Sequence, residues 1–170
     1  MDDSTKELIS GLRQAMQAER AGQVFYRNAA LNTADPKGKE TFDQLAREEE
    51  EHFQFLATHY RALMETGKPA QRVSLQGHAE VEPASPIFSE QFKTRIKDAH
   101  FEMSALAIAV TLELSAINHY REQASKALLP EVRQFFEDLA NWESAHYQLL
   151  TNQQQALQND YWTASGFSPF

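Results

Sequence analysis

Residues 41–56, TFDQLAREEEEHFQFL, decide the fold because the same pattern occurs twice in the chain. The second copy, FFEDLANWESAHYQLL, covers residues 135–150 and aligns without gaps at an offset of 94 residues. Within the first copy, Glu49 and His52 stand three residues apart. This spacing places a carboxylate and an imidazole on the same face of a helix.

The offset of 94 residues also holds outside this stretch. In both copies a lone glutamate precedes the motif glutamate by 30 residues, and a tyrosine follows that lone glutamate at the seventh position. The matched positions are Glu19 and Glu113, Tyr26 and Tyr120, Glu49 and Glu143, and His52 and His146. The chain therefore contains two copies of one helix pair, which together carry four glutamates and two histidines.

The hydrophobic pattern predicts an all-α fold. Apolar residues recur at spacings of three and four along four long segments, and no stretch alternates as a half-buried strand does. We expect helix pairs at about 4–66 and 103–157, joined by a connection at about 67–102 with a short helix near 89–97. A connection of this length favours a four-helix bundle, residues 1–157, with a crossover between the second and third helices. Residues 158–170 are predicted to form an irregular aromatic tail.

The repeated glutamates and histidines indicate a dinuclear metal site. Packed antiparallel, the two helix pairs bring these side chains to one level of the bundle interior. Burying one ionised carboxylate costs several kcal/mol, and four together repel strongly unless metal ions balance their charge. Mixed oxygen and nitrogen ligands suit iron or manganese and also tolerate zinc. We expect two metal ions in each chain.

At these residues the chain resembles the rubrerythrin-like branch of the ferritin-like superfamily, over roughly residues 4–157. By that resemblance Glu49 and Glu143 bridge two irons, and Glu19 and Glu113 are terminal ligands. His52 and His146 each complete one iron, and Tyr26 and Tyr120 hydrogen-bond to the ligand carboxylates. The resemblance implies a homodimeric non-haem di-iron oxidoreductase that reduces peroxide or O2. Its electrons would come from an external donor such as a separate rubredoxin.

The chain departs from two-domain rubrerythrins at two points. It has no cysteine, so it cannot contain the cysteine-ligated rubredoxin domain that feeds electrons to the irons. Those proteins also carry an additional glutamate one turn after the third-helix ligand, where this chain reads Leu-Ser-Ala-Ile at residues 114–117. The implied site is symmetric and closer to the bacterioferritin type. Two alternatives remain open: a ferroxidase or iron-handling protein, and a non-catalytic interaction module.

Other polar and aromatic residues have simpler interpretations. Glu48, Glu50 and Glu51 have no carboxylate counterparts in the second copy, so we expect them on a solvated face. His59 lies seven residues after His52 and is interpreted as a core or surface histidine. The aromatic residues of the tail are expected to pack on the bundle or on a second subunit: Tyr161, Trp162, Phe167 and Phe170.

Composition limits the possible partners and compartment. The net charge of −8 argues against binding nucleic acid or anionic membrane surfaces. No uninterrupted run of eighteen apolar residues is present, so we expect no membrane span. The first ten residues lack the pattern of a secretory signal, and the absence of cysteine fits a reducing compartment. We therefore expect a cytoplasmic protein.

Overall fold

The computed structural model describes residues 3–70 and 85–167, and within these ranges the chain is helical without any strand. The four long helices are α1 (Asp3–Asn32), α2 (Pro36–Thr66), α4 (His100–Lys126) and α5 (Pro130–Ser165). A short helix, α3 (Glu90–Lys93), and a 3-10 turn (Ile96–Asp98) lie between α2 and α4. The prediction of an all-α fold is confirmed.

Contacts between helices fix their directions. The short turn between α1 and α2 makes these helices an antiparallel pair, and α4 and α5 pack in the same way. Tyr26 contacts Glu113 and Thr33 contacts Glu102, so α4 runs antiparallel to α1 and parallel to α2. Because α2 and α4 are parallel, the C-terminus of α2 and the N-terminus of α4 lie at opposite ends of the bundle. The predicted crossover is confirmed.

Local sequence explains where α2 begins and ends. The Asp35 side chain accepts a hydrogen bond from the Gly38 backbone N–H at 2.9 Å, which caps the helix N-terminus. Pro36 occupies the first helical position, where its missing N–H costs nothing. At the other end, Gly67 adopts a φ of 73°, a left-handed conformation that glycine tolerates and that stops the helix.

The boundaries of the second helix pair differ from the prediction. The predicted irregular tail is wrong for most of its length, because α5 continues from Leu157 to Ser165 and ends at Gly166. No proline or glycine interrupts this stretch, and Leu157 and Tyr161 pack against the cluster that covers the end of the bundle. The helix therefore extends until Gly166, with a φ of 68°, forms its C-cap. Phe170 lies outside the described residues.

The apolar core consists of two clusters with a polar layer between them. One cluster contains Phe42 of α2 and Leu106 of α4, and the other contains Leu12 of α1 and Phe136 of α5. Along every long helix the buried glutamates other than Glu102 fall between the residues of these two clusters. The polar site therefore lies in the middle of the bundle, closed above and below by apolar packing.

Helix α4 is unusually apolar for a chain with this composition. Among the described helices it alone is long and apolar enough to cross a membrane, with a mean hydropathy of 1.3 over its most apolar window. A core helix of a bundle passes the same test, and one third of that window is buried against the rest of the chain. Because α4 also brings Glu113 into the buried polar layer, we interpret it as a bundle helix.

Candidate metal centre

The structure brings all six predicted ligands together. Each long helix supplies at least one of them, and their side chains are between 0% and 6% exposed: Glu19, Glu49, His52, Glu113, Glu143 and His146. Within each helix these residues lie on the inward face, at the level between the two apolar clusters. The site is therefore built on rigid elements from both halves of the chain.

The six side chains form two overlapping groups. In the first group, ligand atoms of Glu19, Glu49, His52 and Glu143 all lie within 4.8 Å of one another. The second group combines Glu49 and Glu143 with Glu113 and His146, within the same limit. Glu49 and Glu143 thus belong to both groups. Carboxylates shared in this way have the placement needed to bridge two metal ions.

Each histidine turns its Nδ1 atom toward the carboxylates. The Nδ1 atom of His52 lies 3.2 Å from Glu19 Oε2 and 3.0 Å from Glu143 Oε1. The Nδ1 atom of His146 lies 3.4 Å from Glu143 Oε2 and 3.7 Å from Glu113 Oε1. The two imidazole rings are stacked, with centroids 5.6 Å apart. Both Nδ1 atoms therefore point into the space between the four glutamates.

The two tyrosines connect the halves of the bundle. The Tyr26 hydroxyl donates to Glu113 Oε1, and the Tyr120 hydroxyl donates to Glu19 Oε1. Both rings are fully buried. Each tyrosine of one copy therefore holds the lone glutamate of the other copy, Glu113 or Glu19, in a fixed orientation.

Burial and mutual repulsion shift the pKa values of the cluster. Burial and the neighbouring carboxylates raise the pKa of Glu49 well above its usual range. Burial, partly offset by His146, raises the pKa of Glu113 to about 7. Burial opposes charge on Glu143 as well, but the nearby His52 and His146 keep its pKa well below the ordinary value. The metal-free site therefore balances charge by holding protons on some of its members.

The two histidines and two tyrosines respond to the same charges. Burial disfavours the charged imidazoles, but the surrounding carboxylates raise the pKa of both His52 and His146 well above the ordinary value. Burial, followed by the adjacent carboxylates, raises the pKa of Tyr26 and Tyr120. Both phenols therefore keep their protons and act as hydrogen-bond donors to the glutamates.

The expectation that Glu48 faces solvent is wrong. Its side chain is 4% exposed, and its Oε2 atom lies 2.7 Å from Nε2 of His146. Gln44 Nε2 donates to the other oxygen at 2.8 Å. Burial opposes ionisation of Glu48, but these hydrogen bonds outweigh it and keep its pKa below the ordinary value. Glu51 is exposed and Glu50 partly exposed, as predicted.

A signal for Glu48 was present in the sequence. The residue seven positions later is Phe55, and the counterpart in the second copy is Trp142. Phe55 lies two turns further along the same face of α2, and Trp142 is the residue equivalent to Glu48. Both indicate that position 48 faces inward. The two copies therefore place the six predicted ligands in equivalent positions but surround the two histidines with different residues.

A cavity of about 260 Å³ between α1 and α4 reaches the carboxylates. Its lining combines exposed Gln14 and Ala18 with buried Glu19 and Glu49. Gly22 allows the Glu49 side chain to lie close to the backbone of α1, since a Cβ atom at this position would lie 3.1 Å from the carboxyl carbon of Glu49. Small side chains on α1 thus leave a path between the surface and the buried site.

The chemistry of the donor set fits a pair of divalent ions. Both oxygens of Glu143 and the Nδ1 atom of His146 are buried and make no hydrogen bond with good geometry among the described residues. All three atoms border the space that the two groups of ligands enclose. Buried polar atoms that converge without hydrogen bonds are costly, and coordination of metal ions removes that cost.

Comparison with known proteins identifies the family to which the chain is similar. A family model described as Rubrerythrin matches residues 11–152, which is most of the chain and includes all six ligand positions. Neither the curated proteins nor the solved structures include a significant match to the chain.

Proposed function

Since the chain belongs to the rubrerythrin family, a ferritin-like family of helical bundles, we propose that it is a non-haem di-iron oxidoreductase. In this proposal it reduces peroxide or O2 with electrons from an external donor such as a rubredoxin. The observation that carries the proposal is the sharing of Glu49 and Glu143 between two overlapping groups of ligands. Two iron ions, when bound there, would supply two electrons by passing from Fe(II) to Fe(III).

The protein's own residues perform three tasks in this proposal. Glu19 and Glu113 hold the outer positions, and the hydroxyls of Tyr120 and Tyr26 keep these carboxylates in place. Two apolar clusters limit the access of water from both ends of the bundle. The cavity beside Gly22 is large enough to admit a molecule the size of peroxide. In this proposal the small oxidant enters through this cavity.

Metal content and peroxide consumption test the proposal together. Wild-type protein from iron-supplemented cells should contain about two iron ions per chain. The double variant Glu49→Gln, Glu143→Gln should contain no iron, because the amides remove the negative charge of the two carboxylates that both groups of ligands share. Glu51→Gln, on the exposed face of α2, is the matched control and should retain it. Under anaerobic conditions, peroxide added to the Fe(II) protein should be consumed, with near-ultraviolet absorbance from Fe(III). Iron-loaded wild-type protein that leaves peroxide and O2 unchanged would exclude this function.

The cavity between α1 and α4 also supports a ferroxidase as a second candidate. Because the cavity joins exposed Gln14 to the buried glutamates, Fe(II) itself could reach the site as substrate. Oxidation that continues well beyond two Fe(II) per chain, with Fe(III) released, would favour this candidate. Oxidation that stops at the bound pair until a reductant is added would favour the oxidoreductase.

A further inference from the structure

The two halves of the bundle surround their histidines differently. Directly before each motif glutamate stands Glu48 in the first copy and Trp142 in the second, 94 residues apart. Because α2 and α5 pack antiparallel, each of these residues meets the histidine of the opposite copy. Glu48 contacts the His146 ring edge, whereas the ring of Trp142 stacks on His52 with centroids 5.7 Å apart and planes at 21°. Equivalent positions of the two copies therefore give one histidine a carboxylate partner and the other an aromatic ring.

The contact between Glu48 and His146 orients the imidazole. With Nδ1 of His146 turned toward Glu143, Nε2 points away from the ligands and lies 2.7 Å from Glu48 Oε2. Gln44 donates to the second oxygen of Glu48 and so fixes the carboxylate. A carboxylate that accepts from Nε2–H selects the tautomer in which Nδ1 is free to bind metal. It also increases the basicity of that nitrogen.

Trp142 cannot do the same for His52. An indole carries one N–H donor and no acceptor, so it offers His52 no oxygen to which an imidazole N–H could donate. Its ring instead packs in the apolar cluster beside Phe55, with centroids 5.5 Å apart. The tryptophan contacts the imidazole through ring stacking and supplies no carboxylate to it.

We propose that Glu48 and Trp142 make the two metal positions unequal, so that the His146 position binds a divalent ion first and more tightly. The inference rests on the proposed di-metal function and concerns the order of loading within it. Carboxylate partners of ligand histidines typically change metal affinity by 10- to 100-fold. We therefore expect the two dissociation constants to differ by about that factor.

Anaerobic titration of the metal-free protein with Co(II) tests the proposal without any turnover. Visible absorbance of Co(II) and calorimetry should show two separate steps for the wild type. His146→Ala should remove the tighter step, and His52→Ala the weaker one. Glu48→Gln keeps the shape of the side chain but not its charge, and should weaken the tighter step by about tenfold. Glu51→Gln should leave both steps unchanged, and circular dichroism of each variant checks that it is folded.

A second pair of variants tests the metal position beside His52. Trp142→Glu should strengthen the weaker step, because it places a carboxylate beside His52, whereas Trp142→Phe should preserve the difference between the steps. Equal steps in the wild type, or Glu48→Gln titrating like Glu51→Gln, would overturn the inequality and leave the di-metal function standing. Failure of the wild type to bind Co(II) in stoichiometric amounts would instead overturn the function itself.

Discussion

Replacing Asp35 by alanine should destabilise the protein at two separate places. The Asp35 side chain is 2% exposed and accepts from the Gly38 N–H at 2.9 Å, at the start of α2. It also accepts from the backbone N–H of Ser89 at 3.0 Å and from the Ser89 hydroxyl. One carboxylate therefore caps a helix and holds the far end of the crossover against the turn between α1 and α2.

The size of the effect follows from these three hydrogen bonds. Loss of an N-cap costs about 1 kcal/mol. Each hydrogen bond from Ser89 contributes about 1 kcal/mol more, which brings the free energy of unfolding down by about 3 kcal/mol. In a protein of this length, 1 kcal/mol corresponds to about 3 °C in the melting temperature, so we expect Tm to fall by about 9 °C.

The destabilisation caused by Asp35→Ala should become smaller as the pH falls. Burial raises the pKa of Asp35, but hydrogen bonds from Ser89 and Gly38 outweigh it, and the folded-state pKa lies below the ordinary value. The stabilisation is therefore complete above the unfolded-state pKa of about 4. It disappears as the pH falls through the lower folded-state value. The difference between wild type and Asp35→Ala should shrink accordingly in acid.

Thermal unfolding of the metal-free protein, monitored by circular dichroism at pH 7 and pH 3, measures the fall in Tm and its dependence on pH. Asp43→Ala is the matched control, since Asp43 is a partly exposed aspartate on the same helix. A double-mutant cycle with Ser89→Ala should give a coupling energy of about 1 kcal/mol. The reasoning is refuted if Asp35→Ala melts within about 2 °C of the control at pH 7, or if the difference widens in acid.

Three further substitutions probe close packing and an unpaired imidazole. Gly22→Ala should lower Co(II) affinity in a titration while changing Tm little, because its Cβ would lie 3.1 Å from the carboxyl carbon of Glu49. Gly38→Ala should lower the free energy of unfolding in urea by about 2 kcal/mol, because its Cβ would come within 2.6 Å of the Phe88 ring. His59 is buried without a hydrogen bond to either ring nitrogen among the described residues, and burial lowers its pKa. His59→Leu should therefore stabilise the protein by about 1 kcal/mol at pH 7. Its advantage over wild type should increase as the pH falls through about 6.5, because the unfolded wild-type chain binds a proton at this histidine more readily than the folded chain does.

The repeat made most of the fold predictable, together with the convergence of the six polar side chains on one place. Two matched copies of Glu-x-x-His, each preceded by a lone glutamate, left few ways to bury these residues, and the structure places all six in one cluster. The long connection between the second and third helices predicted that these two helices run in the same direction. These predictions succeeded because periodicity and spacing are local properties of the chain.

The features that were missed depend on contacts between distant elements. Glu48 was assigned to the surface because its counterpart is not acidic, yet it is buried by pairing with His146 on another helix. The extension of α5 to Ser165 depends on packing of Tyr161 against the cluster at the end of the bundle. Neither partner is adjacent in sequence, so the pattern along one helix could indicate an inward-facing position but could not identify the residue that it contacts.

The exchanged hydrogen bonds of the tyrosines have a consequence for the origin of the site. Tyr26 of the first copy serves Glu113 of the second, and Tyr120 of the second serves Glu19 of the first. Reciprocal contacts of this kind characterise an isologous interface between two identical subunits related by a two-fold axis. A single ancestral hairpin would thus have gained these tyrosine contacts only as a dimer, and fusion of two such hairpins into one chain would then have allowed residues such as Glu48 and Trp142 to diverge.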